Sequence, residues 1–266
     1  MVQAGTEEAH AGGKKAIGHL FLTSWSDAAR AGIDGLLHVA PSSPSLLPPD
    51  QRATFRRGIH NTRFMFQWFE YVNYASPEID SLATLMVRHH IEHDGTLATF
   101  EAMAWGDSER ITSTPDLSYA ATSLVRNWRE FTLTQGWTKT DYDSARAVWP
   151  KVLQFEKLLY DRGVLVTVGT DANNPWTPPG ASYARELELL VAAGIPPLEV
   201  IRLATHNGAE ALGILDRVGT IAEGKRADLV LLDADPVADI GNTRRVEMVF
   251  ANGHVVRASS GGQAAQ

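Results

Sequence analysis

The chain has 266 residues, enough for one large domain or for a domain with a small appendage. Its 44% hydrophobic and 21% charged residues mark a globular protein, and a net charge of -7 without any Lys/Arg cluster argues against nucleic acid as a partner. There are no cysteines, so disulfides, zinc–thiolate sites and cysteine nucleophiles are excluded, and a metal would have to be held by His and carboxylate. No apolar run reaches the ~18 residues that a membrane-spanning helix needs. The first residues, MVQAGTEEAHAGGKK, contain no apolar signal core. If that N-terminus is the natural one, the cytoplasm is the expected location.

Residues 7–13 (EEAHAGG) read as a helix end closed by glycine. The apolar run 16–22 (AIGHLFL) reads as a buried strand, 27–31 as helix ended by Gly32, and 33–39 (IDGLLHV) as a second strand. Strand–helix–strand is the pattern of a parallel sheet. Residues 41–49 form a Pro/Ser-rich loop, and 51–74 carry an aromatic-rich stretch: Phe64, Phe66, Trp68, Phe69, Tyr71 and Tyr74. That stretch suits an inserted core helix better than a lid or a membrane patch. A helix is expected over 77–90, a third strand over 91–100, and mixed helices and loops over 103–149. A helix over 151–162 precedes the clearest strand, 164–169 (VLVTVG), and further helices are expected over 182–193 and 197–212. Beyond residue 214 the composition turns to short strands, at 218–221, 228–232 and 246–256. Asn252-Gly253 there is a strong hairpin signal. Residues 259–266 are expected to be a disordered tail.

His19, His38 and Asp171 stand within or just beyond apolar strands, where parallel α/β proteins build their sites. Singly, each has an ordinary reading: a strand His is more often a hydrogen-bonded core residue, and an Asp after Gly-Thr a turn former or cap. Together they make a carboxylate–imidazole set suited to a metal. His89, His90 and His93 read as a polar helix end rather than a zinc helix. His206 reads as structural, Arg185 and Glu186 as a structural ion pair. Ser182 lacks the G-x-S-x-G context of a serine hydrolase, and GKRAD lacks a P-loop.

The segments VTVGTDANNPW and ARELELLVAAGIPPLEVIRLATHNGAEALGI resemble the end of a metal-dependent amidohydrolase barrel, closest to the imidazolonepropionase-like and Xaa-Pro dipeptidase-like branches. VGTIAEGKRADLVLLDADP and VEMVFANGHVV resemble the β region that closes such enzymes. EEAHAGGKKAIGHLF…AARAGIDGLLHV resembles the family's fifth strand, its helix and its sixth strand, and HIEHDGTLATFEA falls where the seventh belongs.

The resemblance implies an α/β fold, a partial TIM (β/α)8 barrel of about strands 5–8 over residues 1–213, followed by a small β region over 214–258. It makes His19 and His38 metal ligands and Asp171 both a ligand and the general base. It implies a divalent metal, zinc by ligand type, a small-molecule substrate, and hydrolysis of a C–N bond in an amide, cyclic amide or dipeptide-like compound. Thr96 and Tyr183 would line the substrate pocket. The family's first-strand His-x-His occurs nowhere in the chain, and Lys14 and Lys15 lie too close to the fifth strand to act as its bridging lysine. Two consequences are expected. A four-stranded partial barrel would leave open edges and self-associate, and the chain is either a working fragment or a catalytically inactive remnant.

Overall fold

Strand and helix alternate along the first 170 residues because short apolar runs are punctuated by glycine turns. The computed structural model describes residues 1–21, 23–57 and 61–258. Helix α1 (Val2–Ala11) closes at Gly12 and Gly13, the latter with φ of 66°, and leads into β1 (Ile17–Gly18). Helix α2 (Trp25–Arg30) starts at Ser24, whose Oγ accepts from Asp27 N at 3.0 Å, and Gly32 turns the chain into β2 (Gly35–Leu37). A 3-10 turn at Pro44–Leu46 precedes α3 (Pro49–Arg57), α4 (Arg63–Tyr71) and α5 (Pro77–Arg88). Then come β3 (Glu92–Asp94), α6 (Leu97–Ala104), α7 (Glu109–Thr112), α8 (Thr122–Glu130), α9 (Lys139–Asp161) and β4 (Leu165–Thr167).

The four strands form one parallel sheet in chain order, β1-β2-β3-β4, with Gly35 opposite both Ile17 and Glu92, and Glu92 opposite Leu165. Among the described residues, β1 and β4 each pair on one side only. This is the parallel α/β fold expected from the sequence. Its core gathers around Phe155 of α9, whose ring meets those of Trp68 at 5.4 Å, Tyr74 at 5.9 Å and Trp25 at 6.3 Å. The aromatic stretch is core: Phe64, Phe66, Trp68 and Phe69 of α4 are buried, and Trp68 donates its indole N–H to Ser43 O.

Three expectations fail. Residues 97–100 belong to α6, not to a strand. Thr96 turns the backbone left-handed (φ 49°), and Glu186 accepts from Leu97 N and Ala98 N, which starts a helix there. Helix α9 begins twelve residues earlier than the expected 151, and it runs through Pro150. A capping box between Thr138 and Asp141 nucleates it, and the buried Ala145, Val148, Val152 and Phe155 hold it across the proline. Residues 218–221 form no strand. Gly219 is left-handed, and Lys225 Nζ donates to the carbonyls of Leu215 and Val218 and to Thr220 Oγ1, curling the segment into a turn.

Helices α10 (Ala181–Ala192), α11 (Pro197–Arg202) and α12 (Gly208–Ala211), with a π turn at Leu203–Asn207, lead to a separate antiparallel sheet. It consists of β5 (Leu229–Leu232), β6 (Val246–Ala251) and β7 (His254–Ala258) in the order β5-β6-β7. Asn252 and Gly253, both left-handed, make the β6–β7 turn as their pairing demands. The expected tail at 259–266 lies outside the described residues.

Candidate active site

The carboxyl ends of β1 to β4 bring together the residues singled out in the sequence. His19 follows β1, His38 follows β2, and Asp171 lies just past β4. The His19 and His38 rings meet edge to face at 4.2 Å, and His38 Nε2 lies 4.0 Å from Asp171 Oδ2. Thr96 Oγ1 is 2.8 Å from His38 Nδ1. In the tautomer that donates from Nδ1 to Thr96, the His38 Nε2 lone pair is left on the Asp171 side.

The backbone is strained at the same place. His38 (φ 71°), Thr96 (φ 49°) and Asp171 (φ 52°) are all left-handed; His and Asp enter that region more readily than most residues, whereas the β-branched Thr96 seldom does. Such strain clusters at functional sites, where surrounding structure over-determines it.

Burial sets the charge state. Desolvation lowers the His19 pKa, with Asp171 acting in the opposite sense. His38 falls to about 4, from desolvation first and then from His19 and His93. Both imidazoles are thus held neutral, the form that ligates a cation. Desolvation raises the Asp171 carboxyl, with His19 working against it.

Beside these groups lies a largely buried polar layer of Asp94, His93 and Glu156, of which the sequence marks out only His93. Asp94 ends β3, its carbonyl accepts from His38 N at 2.7 Å, and burial pushes its carboxyl up to about 6. A Cβ on Gly169 would run into that carboxylate, so glycine is required for the close approach. His93 is fully buried in β3, sharing Nδ1 with Leu36 O at 3.1 Å and Nε2 with Glu156 Oε2 at 3.0 Å. It is a strand residue, not the polar helix end expected; His89 caps α5 and His90 turns left-handed after it. Asp94 had a readable signal, since it adjoins Gly95-Thr96 as Asp171 adjoins Gly169-Thr170. Glu156 and Glu186 had none, being acidic residues on helices.

Arg185 and Glu186 do not pair with each other as expected. Arg185 binds Glu101 and Glu188, whereas Glu186 caps α6. Tyr183 donates its hydroxyl to Ala204 O at 3.2 Å, joining α10 to the π turn. His206 Nδ1 lies 3.3 Å from Asn207 Oδ1, consistent with a structural role.

Two imidazoles and a carboxylate are donors of the right kind for a zinc-like cation, and the neutral rings favour it. The fit is one of chemistry rather than a closed cage. Among the described residues no three His, Asp or Glu side chains stand close enough to hold one ion between them.

A parallel sheet with two imidazoles and an aspartate at its carboxyl ends defines the class: an α/β protein with a polar cluster where such folds build their sites. The amidohydrolase family model matches residues 123–256, half of the chain, and the chain belongs to that family. Imidazolonepropionase of Streptomyces griseus is 41% identical over 113 residues, which span 41% of this chain and 26% of the relative. Adenine deaminase 4 of Rhizobium meliloti is 41% identical over 69 residues, 26% of this chain and 10% of that protein. Among solved structures, a Xaa-Pro dipeptidase with bound methionine matches with a TM-score of 0.61 and 20% identity, covering 97% of this chain and 48% of its own. The ochratoxinase of A. niger matches at 0.62 and 20%, covering 97% and 45%. The chain therefore spans about half the length of these solved relatives, and the likeness establishes the fold.

Proposed function

We propose that this chain is the strand 5–8 portion of a (β/α)8 barrel, residues 1–213, with a closing β region at 214–258, and that it serves metal-assisted hydrolysis of a C–N bond. The substrate would be an amide, cyclic amide or dipeptide-like compound, in keeping with relatives named imidazolonepropionase and Xaa-Pro dipeptidase. The observation that carries the reading is the convergence of His19, His38 and Asp171 at the carboxyl ends of β1, β2 and β4, with His38 and Asp171 on left-handed backbone.

His19, His38 and Asp171 would hold a divalent cation, zinc by ligand type. When bound, the cation supplies Lewis acidity to the scissile carbonyl and lowers the pKa of the attacking water. Asp171 would take the proton of that water and return it to the leaving nitrogen. Thr96 orients His38 through Nδ1. Thr96 and Tyr183 would stand toward the substrate.

A second reading, a catalytically inactive remnant, is favoured by the absence of His-x-His from the sequence and of a three-donor cluster among the described residues. Zinc titration of the metal-free chain, followed by assay against Xaa-Pro dipeptides, N-acyl amino acids and cyclic amides, separates the two. Near-stoichiometric zinc that is lost in His38→Ala, with turnover lost in Asp171→Asn, supports the enzyme; no zinc uptake after refolding with zinc supports the remnant. The one-sided pairing of β1 and β4, with Ile17 and Phe21 exposed, favours self-association, and light scattering that returns a clean monomer would reject it.

A further inference from the structure

A cavity of about 280 Å³ opens between α6, α7, the loop after Asp171, the start of α10 and the 3-10 turns at Pro115–Tyr119 and Ile240–Arg244. None of His19, His38, Thr96 and Asp171 lines it. Arg110, Glu101, Arg185, Arg244 and Asp116 line it, and Glu188, behind the lining, joins Arg185 to Arg244 in one chain of alternating charges. Glu101 accepts from Arg110 Nη2 at 2.9 Å and from Arg185 Nε and Nη2 at 2.8 Å each. Glu188 accepts from Arg185 Nη1 at 2.7 Å and from Arg244 Nε at 2.8 Å, and Asp116 Oδ2 accepts from Arg244 Nη1 at 3.1 Å.

The lining itself carries three guanidiniums and two carboxylates, and the acceptors of the network are engaged. Donors are left over. A guanidinium carries five N–H bonds. Among the described residues, Arg110 engages only Nη2 with a carboxylate, and Arg244 only Nε and Nη1. Two more polar atoms on lining residues have no partner among the described residues: Trp176 Nε1 and Ser182 Oγ, both buried. Buried donors without acceptors are rare and costly, which makes each one a pointer to a missing group. Trp176 adds to this, being held at φ 68° between the Trp128 ring at 6.1 Å and the Arg129 guanidinium at 5.6 Å. A bulky residue in that conformation is strained.

We propose that this cavity binds a small monocarboxylate, whose oxygens accept from Trp176 Nε1, Ser182 Oγ and the free N–H groups of Arg110 and Arg244. The surplus is of donors, so the ligand must bring acceptors. A surplus of one positive charge in the lining suits a single negative charge better than a phosphate dianion. The volume falls just below the ~300 Å³ lower end of pockets for drug-sized ligands, so the ligand is small. The site stands whether or not Asp171 hydrolyses anything.

The test is a titration of the indole N–H resonances of the 15N-labelled full chain with sodium propionate, against sodium phosphate and sodium chloride at equal ionic strength. The Trp176 peak is identified by its absence in Trp176→Phe. Propionate should shift it saturably, phosphate and chloride should not, and Ser182→Ala should weaken the affinity about tenfold. A Trp176 peak indifferent to propionate, an equal response to phosphate, or an unchanged affinity in Ser182→Ala overturns the proposal. The wild-type titration decides it even if Ser182→Ala does not fold.

Discussion

Replacing Glu186 by alanine should remove a cap that reaches α6 from another helix. Thr96 stands at the N-cap position of α6 but makes no capping hydrogen bond; its hydroxyl goes to His38 instead. The first N–H groups of the helix are served by Glu186 of α10, with Oε1 accepting from Leu97 N at 2.8 Å and Oε2 from Ala98 N at 2.6 Å. All of these groups are buried. Glu186→Ala orphans two buried N–H groups at ~1–3 kcal/mol each, so the expected loss is about 2–6 kcal/mol before any cavity cost. That is a large share of the ~5–15 kcal/mol stability of a typical domain. Urea unfolding followed by circular dichroism and tryptophan fluorescence measures it. Glu186→Gln keeps one acceptor and should lose about 1–3 kcal/mol. A second signature comes from pH. Desolvation raises the Glu186 carboxyl well above its ordinary value of 4.5, against the opposing hydrogen bonds from Ala98 and Leu97. The folded chain therefore keeps this proton after the unfolded chain has lost it. The group's contribution to stability falls as pH rises from 4.5 through the window up to the folded value. Glu186→Gln should flatten that part of the profile. A loss under about 1 kcal/mol in Glu186→Ala, or identical pH slopes for wild type and Glu186→Gln, would refute the reasoning.

Other predictions follow from single contacts. Phe155→Ala, at the centre of the aromatic core, should cost about 3–5 kcal/mol in a urea melt. Gly169→Ala drives a methyl group into the Asp94 carboxylate and should cost about 1–3 kcal/mol, read by thermal unfolding. Thr138→Ala breaks the capping box of α9 and should cost about 1 kcal/mol by the same measurement. If zinc binds at His19, His38 and Asp171, Thr96→Val should weaken it about 10–100-fold by calorimetric titration without unfolding the chain, because it removes the hydroxyl that orients His38.

Much of the architecture was legible because its signals are local. Gly32 and Gly163 stand where helices end, the runs around Leu36 and Val166 are apolar, and Asn252-Gly253 admits the left-handed pair that a tight hairpin needs. His19, His38 and Asp171 could be picked out because a polar residue at the end of an apolar strand conflicts with its surroundings. The errors arose where a distant partner overruled local preference. The run 91–100 looks like strand throughout, but Glu186, almost ninety residues away in sequence, starts a helix at Leu97. Pro150 looks like a helix boundary, yet Val148 and Val152 are both buried and carry α9 across it.

The sequence by itself determined the order of strands and helices, the parallel pairing that this order requires, and the residue types at the strand ends, because periodicity, turn chemistry and polarity are properties of neighbouring residues. Tertiary structure alone decided which acidic groups are buried. It buried Glu156 and Glu186 fully and Asp94 in large part, set the His93–Glu156 contact, and left Trp176 Nε1 and Ser182 Oγ without partners among the described residues beside a charged wall. Those outcomes depend on which side chains exclude water from one another across the fold, and no local stretch of sequence encodes that.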